Sequence, residues 1–354
     1  MIIKRSTKHI LKYQNKSKTK KLDLLFDLYK KELENQLYHI YMDHIPLQKN
    51  LSSKELEGKY IFHSQWLQVI YKQASEIVRS LSKKKDYRFP NIKNISINID
   101  ERLFDIVKTN KEFNGFIRIK LPFFQENKKR AETINLPYKE YKHSLSYTDW
   151  NKRKTIQLKK EKDNYFVNFI YEKNINKKEN GKDLAIDIGY KKLITTSEKN
   201  FIGKELELIY NKISNKKQGS KNFKDLLIQR NNLINYFCNS LDYKDLKNLI
   251  IEDLFLVKHK SKIHHKVMNK LQRWSYRKVL TKLERLSEIE GFNLIKVDPA
   301  YTSQTCSNCG FVDKDSRKFE KFLCTKCGFE EDADYNAALN ILHRGVYNPS
   351  TLKT

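Results

Sequence analysis

The chain has 354 residues, 70 Lys plus Arg against 42 Asp plus Glu, a formal net charge of +28, and 39% hydrophobic and 12% aromatic residues. That length and apolar content exclude a disordered basic tail and leave room for two or three domains, each with its own core. No apolar run of ~18 residues and no signal-peptide apolar region is found, so the polyanion that this charge calls for is nucleic acid and not a membrane surface.

A Lys-rich proteome bias is the competing account of the charge, since Lys, Asn and Ile are all abundant. Twenty Tyr and nineteen Phe among the Lys and Arg add stacking faces, which suit RNA or single-stranded DNA.

In chain order, residues 2–13, IIKRSTKHILKY, read as a basic strand or arm. Apolar residues recur at helical spacing from Leu22 to about Ile45, where Pro46 closes the pattern. A second long helix is expected from about Ser53 to Lys84, with Phe62, Trp66, Ile70 and Ile77 near one face. NISINID, GFIRIKL, TIQLKK and NYFVNFIY alternate apolar and polar residues with period two, as half-buried strands do. They predict a β-barrel or curled sheet interrupted by a helical insertion.

KNINKKENGK, residues 173–182, reads as a linker. Beyond it, DLAIDIG and KKLITTS are two short strands joined by a tight turn. A helix over roughly 222–240 follows, then the strand NLIIEDL, a basic helix from about 266 to 290, and the strand NLIKVDP. Strands alternating with helices define an α/β domain.

Four of the five cysteines fall within 22 residues: CSNC, 14 residues, then CTKC. Cys306, Cys309, Cys324 and Cys327 form two Cys-x-x-Cys knuckles, each followed by Gly, and four thiolates suit closed tetrahedral Zn²⁺. Such a site is structural. An iron–sulfur cluster or a redox dithiol is the alternative. Cys238, in NLINYFCNSL, reads as a buried core thiol.

Three carboxylates carry the other chemistry. Asp187 lies inside the apolar strand LAIDIG, Glu252 ends NLIIEDL, and Asp334 opens the helix ADYNAALNIL. Each has a bland account: a turn, a core ion pair, a helix dipole. Together, two strand-borne acids and one helix-borne acid are what a phosphodiester nuclease using two Mg²⁺ ions requires. Asp332 and Asp334 point about 200° apart on a helix, so Asp332 is read as the N-cap and Asp334 as the ligand. Glu330 and Glu331 are read as solvated surface.

IDIGYKKLITTS, IIEDL, VDPAYTSQTCSNCG and CTKCGFEEDADYNAALNIL, in that order, resemble the transposon-encoded TnpB (OrfB) family and its relatives, the miniature type V CRISPR effectors. The resemblance spans roughly residues 183–345; the N-terminal half agrees in general form only. AIDIGY departs mildly from the Gly and Leu usual around the first acid, and NFKDLLIQRNNLINYFCNSL matches only loosely.

The resemblance implies an RNase H-like, RuvC-type nuclease domain over 176–300 and 331–346, with Asp187, Glu252 and Asp334 at the catalytic positions. It implies a zinc ribbon over 301–330 and a wedge-like β-barrel over 1–20 and 86–175. A helical recognition insertion over 21–85 and a C-terminal tail over 347–354 complete it. The implied partners are a guide RNA from the element's own transcript and double-stranded target DNA, cut next to a short flanking motif. A prokaryotic cytoplasm, near the nucleoid, is the implied location. Lys258, Lys260, Lys262, His264, His265 and Lys266, with Arg273 and Arg277 on the next helix, are candidate nucleic-acid contacts. Two rival readings stand beside this one: a zinc-stabilised, RNA-guided repressor that does not cut, and a guide-free resolvase or transposase.

Overall fold

The computed structural model describes residues 1–12, 15–42, 64–83, 89–92, 94–109, 113–122, 132–254 and 275–347. They divide into two compact units, Ile2–Lys173 and Asn174–Thr354, the latter joined by Met1.

In the first unit β1 (Ile2–Ile10) leads into α1 (Lys16–Met42) and α2 (Ser64–Leu81). Leu22, Leu25, Phe26, Tyr29, Leu33 and Leu37 recur every three or four residues, so they form one stripe on α1 and all are buried. The stripe meets Trp66, Ile70 and Ala74 of α2 in a shared core, each large buried side chain contributing roughly 1.5–3 kcal/mol. The polar tips of Tyr29 and Trp66 inside this core are satisfied: Tyr29 Oη donates to Gln73 at 2.6 Å and Trp66 Nε1 to the Lys120 carbonyl at 3.0 Å. The expected helices are thus recovered at Lys16–Met42 and Ser64–Leu81, while 43–63 and 84–88, with Pro46 and the start expected near Ser53, lie outside the described residues.

The strands that follow are β2 (Ser96–Asp100), β3 (Phe104–Lys108), β4 (Gly115–Lys120), β5 (Thr133–Tyr138), β6 (Asn151–Glu161) and β7 (Asn164–Asn174). They build two antiparallel sheets, β1-β7-β6-β2 and β3-β4-β5, linked by a bridge between Leu11 and Tyr138. β3 and β5 were not expected. FDIVK and TINLPY are short, and they are held as the two edge strands of this sheet, each hydrogen-bonded to the central β4.

The second unit contains β8 (Lys182–Asp187), β9 (Ile194–Thr196), β10 (Phe201–Ile202), α3 (Leu206–Ser214), α4 (Lys221–Asn239), β11 (Leu246–Glu252), α5 (Tyr276–Glu290) and β12 (Asn293–Val297). β13 (Arg317–Lys318), β14 (Lys321–Leu323), β15 (Glu330–Asp332) and α6 (Ala333–Tyr347) close the described chain. The main sheet runs β10-β9-β8-β11-β12, with β8, β11 and β12 parallel. Residues 175–181 are not a free linker: Lys177 Nζ donates to the Phe292 carbonyl at 2.6 Å and Lys178 Nζ to the Lys244 carbonyl at 2.8 Å. Cationic tips reaching backbone carbonyls override the composition of that stretch.

Period two now does the positioning. Leu184, Ile186, Leu249 and Ile251 face the core shared with α4 and α5, which includes the buried Cys238. Burial pushes the Cys238 thiol up to about 12, so it stays protonated and unreactive. Ala185 and Ile250 point the other way, into a core with Val297 and Ile341 of α6. Strand parity therefore sends Asp187 and Glu252 to the α6 face.

Gly345 lets α6 approach: a Cβ there would stand 2.6 Å from Ile250 Cγ2. Gly345→Ala is expected to destabilise this unit by about 1–3 kcal/mol through overpacking, read from urea melts. An unchanged midpoint would show that α6 packs elsewhere.

Candidate active site and metal clip

Asp187 and Glu252 end neighbouring parallel strands, with Ile186 opposite Ile251 and Glu252 opposite Val297. Asp334 lies in the first turn of α6, seven residues before Ile341, so the two share a helix face. Ile341 packs on Ala185 and Ile250, and the face that it shares with Asp334 is thereby turned to the sheet. The three acids meet electrostatically. Burial, then the charges of Glu252 and Asp334, hold the Asp187 carboxyl well above the usual carboxylate range, and Arg317 opposes them. Burial also raises Glu252, offset by the Thr302 hydroxyl, which donates to Glu252 Oε1, and by Arg344 and Arg317.

Asp334 is 8% exposed and held by two cations. Arg317 Nη2 donates to its Oδ1 at 2.8 Å, and Lys192 Nζ lies 3.4 Å from its Oδ2. Lys192, 6% exposed, also reaches Asp332 at 2.5 Å and Glu320 at 3.7 Å. Burial alone would lower its pKa, but the bonds to Asp332 and Asp334 raise it. Asp332 caps α6 as expected, accepting from the backbone N–H groups of Asp334 at 3.0 Å and Tyr335 at 3.1 Å.

The acidic knot is thus neutralised by nearby lysines and one arginine. Glu331 is not simply solvated, because Lys199 meets it at 2.8 Å; Glu330 pairs with Lys321 at 2.6 Å on the surface. Lys199 approaches Glu331 from the β9–β10 turn, a partner that no local pattern announces.

The four cysteines form a closed cluster, each offering a sulfur within 4.8 Å of the others. Cys306 and Cys327 stand 3.7 Å apart, as do Cys309 and Cys324. A tetrahedral Zn²⁺ with bonds near 2.3 Å places its sulfurs ~3.8 Å apart, so this donor set fits zinc. The two knuckles are built alike. Gly310 N–H donates to the Cys306 carbonyl at 2.9 Å and Gly328 N–H to that of Cys324 at 3.0 Å. Both glycines take left-handed φ, 73° and 70°, which a side chain would resist. A backbone N–H from Phe329 lowers the Cys327 thiol to about 6, favouring the ligating thiolate.

Among the described residues only the cysteines close to that distance as a set of three or more; the three acids do not. The acids nevertheless suit hard divalent cations in kind, since the charges of Glu252 and Asp334 that raise the Asp187 carboxyl are relieved by positive charge between them.

Ties run from clip to acids. Asn336 Oδ1 accepts from Ser307 N–H at 2.9 Å, and its amide donates to the Thr305 carbonyl at 2.8 Å. Asn340 donates to the Thr302 and Thr305 carbonyls at 2.9 and 2.6 Å. Lys192, Thr302, Arg317, Asn336 and Asn340 were not anticipated. The sequence signals available were the Asn pair spaced i, i+4 on α6 and a lone Arg between the knuckles.

Of the candidate nucleic-acid contacts, Lys258, Lys260, Lys262, His264, His265, Lys266 and Arg273 lie outside the described residues, and Arg277 is exposed on α5. No described helix is long and apolar enough to cross a membrane.

Residues 276–341 match the family model described as Cas12f1-like, TNB domain. A CRISPR-associated endodeoxyribonuclease Cas12f1 of Sulfoacidibacillus thermotolerans is 47% identical over 72 residues, 20% of this chain and 17% of that protein. A TnpB-like protein of Aquifex aeolicus is 40% identical over 78 residues, 21% of this chain and 26% of that protein. These alignments therefore span about a quarter or less of the curated relatives' own length. Among solved structures, a Cas12f1–sgRNA–target DNA complex aligns with a TM-score of 0.60 at 19% identity, covering 95% of this chain and 82% of that one. The fold is that of Cas12 effectors. With an acid-bearing sheet and a four-cysteine clip on the same chain, its C-terminal region is similar to TnpB-like proteins and to the miniature type V effector Cas12f1.

Proposed function

We propose that this chain is an RNA-guided DNA endonuclease that hydrolyses phosphodiesters with Asp187, Glu252 and Asp334. The observation that carries the reading is the delivery of all three acids to one face: two by parity of adjacent parallel strands, one by the first turn of the helix packed on them. The finer assignments go with it: a RuvC-type, RNase H-like catalytic domain, a wedge-like β-barrel with a helical recognition insertion, and the domain limits derived from the resemblance.

The three carboxylates are the residues to hold Mg²⁺, and two such ions supply Lewis acidity for in-line hydrolysis of a phosphate ester. The chain supplies the rest. Thr302 fixes one Glu252 oxygen. Arg317 and Lys192 hold the two Asp334 oxygens and bring positive charge to where phosphate charge develops. The Cys306–Cys327 clip holds the loops that carry Thr302 and Arg317, so zinc orients the site without entering the chemistry.

Guide RNA and double-stranded target DNA are the partners in this reading; the solved Cas12f1 complex named above holds an sgRNA and target DNA. The net charge of +28 is the counterpart of their phosphates. Base pairing would read the target, and the chain would read a short flanking motif.

The test is to purify the chain, sequence the RNA bound to it, and challenge the complex with matching duplex flanked by randomised sequence. A defined RNA, cutting that requires both Mg²⁺ and a match, and one enriched flanking motif are expected. Cutting by RNA-free protein would replace this reading with a guide-free nuclease. A bound duplex left intact by the unaltered chain would replace it with a repressor.

A further inference from the structure

Four non-glycine residues among those described have left-handed backbone: Lys162, Lys199, Tyr301 and Phe319, with φ of 53°, 66°, 64° and 56°. Two are aromatic, and both are open to solvent, Tyr301 at 62% and Phe319 at 92% exposed. A bulky side chain in that conformation costs folding energy, and neither ring regains it by burial. Phe319 opens the two-residue turn between β13 and β14, where Lys318 pairs with Lys321; glycine is the relaxed residue at such a position. Tyr301 is fixed by its own carbonyl, which accepts from the backbone N–H groups of Gln304 and Thr305 at 3.0 Å and from the Thr305 hydroxyl at 2.8 Å.

Both strained aromatics adjoin a contact of the acids. Thr302, next to Tyr301, donates to Glu252. Arg317, two residues before Phe319, donates to Asp334 at 2.8 Å, and two residues of extended chain reach at most ~7 Å. The Phe319 turn is rigidly mounted: Lys191 Nζ meets Glu320 at 2.9 Å, and Ala333 N–H donates to the Glu320 carbonyl at 2.8 Å. Lys318, which immediately precedes Phe319 in the chain, is exposed.

We propose that Tyr301 and Phe319 form a binding site for unstacked bases of single-stranded DNA, each ring carrying one base while Lys318 meets the backbone phosphate. Stacking on aromatic faces tolerates any base, which suits a strand whose sequence is read elsewhere. The inference rests on the nuclease reading for the identity of the strand, and it adds the residues that keep the strand open beside the acids.

The experiment uses the full chain carrying Asp187→Asn and a short single-stranded DNA containing 2-aminopurine, whose fluorescence is quenched by stacking. Phe319→Gly and Tyr301→Gly are each expected to weaken binding about tenfold and to relieve the quenching, with melting temperatures equal to or above the parent's. Phe319→Trp should retain both signals. Unchanged affinity and quenching in the two glycine variants would overturn the proposal, as would a lowered melting temperature in both, which would make the rings structural. Duplex cutting by the glycine variants with Asp187 left unaltered separates the two ideas. Normal cutting by both glycine variants sinks the stacking site alone. Stacking by a chain that never cuts sinks the nuclease reading alone.

Discussion

Asp187→Asn is expected to lower target cleavage at least about a thousandfold, a barrier increase of roughly 4 kcal/mol, while bound RNA stays unchanged. The substitution keeps shape and removes one of three charges gathered on one face of the sheet. Stability should move the other way. The folded Asp187 carboxyl has its pKa raised by burial and by the charges of Glu252 and Asp334. The folded chain therefore binds a proton more tightly than the unfolded chain does.

That contribution is fully present below the unfolded value near 3.8 and is lost as pH rises through the raised folded value. In metal-free buffer the parent should lose stability with rising pH across that window, and Asp187→Asn should show a flatter profile and a higher midpoint at neutral pH. Urea melts over a pH series, paired with cleavage time courses, measure both. Cutting within tenfold of the parent would remove Asp187 from the chemistry.

Cys324→Ser should collapse the ribbon. The Cys324 sulfur is buried, stands 3.7 Å from that of Cys309, and accepts from the Cys327 N–H at 3.5 Å. In zinc-finger peptides the metal contributes about 10–16 kcal/mol, comparable with the whole stability of a domain. Loss of zinc binding should thus unfold 301–332 locally, expose the amides of Gly310, Gly328 and Ala333 to hydrogen exchange, and abolish cleavage through the displaced Arg317 and Asp334. The Ile2–Lys173 unit should keep its own exchange pattern, because its core contains no ribbon residue. Retained zinc with parental protection of those three amides would contradict the structural role.

Much of this architecture is legible along the chain. Apolar stripes announce α1 and α2, and period two announces β2, β4, β6 and β7. The Cys-x-x-Cys pair announces its own cluster because a knuckle is local: four residues and a glycine contain all the geometry required. The acids are legible by position, since a carboxylate inside an apolar strand is costly without a partner. FDIVK and TINLPY escape because they are short edge segments of five and six residues whose hydrogen bonds come from the strand between them, β4, and not from a pattern of their own. Lys192 escapes for a related reason. In sequence it is one lysine among many, and only folding brings its ammonium to Asp332, some 140 residues onward.

What the amino-acid sequence determined alone was everything encoded within one turn or one strand: the helical stripes, the strand parity that turns Asp187 and Glu252 to one face, the cap at Asp332 and the zinc knuckles. Tertiary structure decided which cations hold Asp334, where Thr302 meets Glu252, and that Tyr301 and Phe319 stand strained and open, each within two residues of a contact of the acids. The division has one physical cause. Local backbone geometry is set by neighbouring residues, whereas charge pairing and exposure depend on side chains brought together only when the sheet, the clip and α6 close on one another.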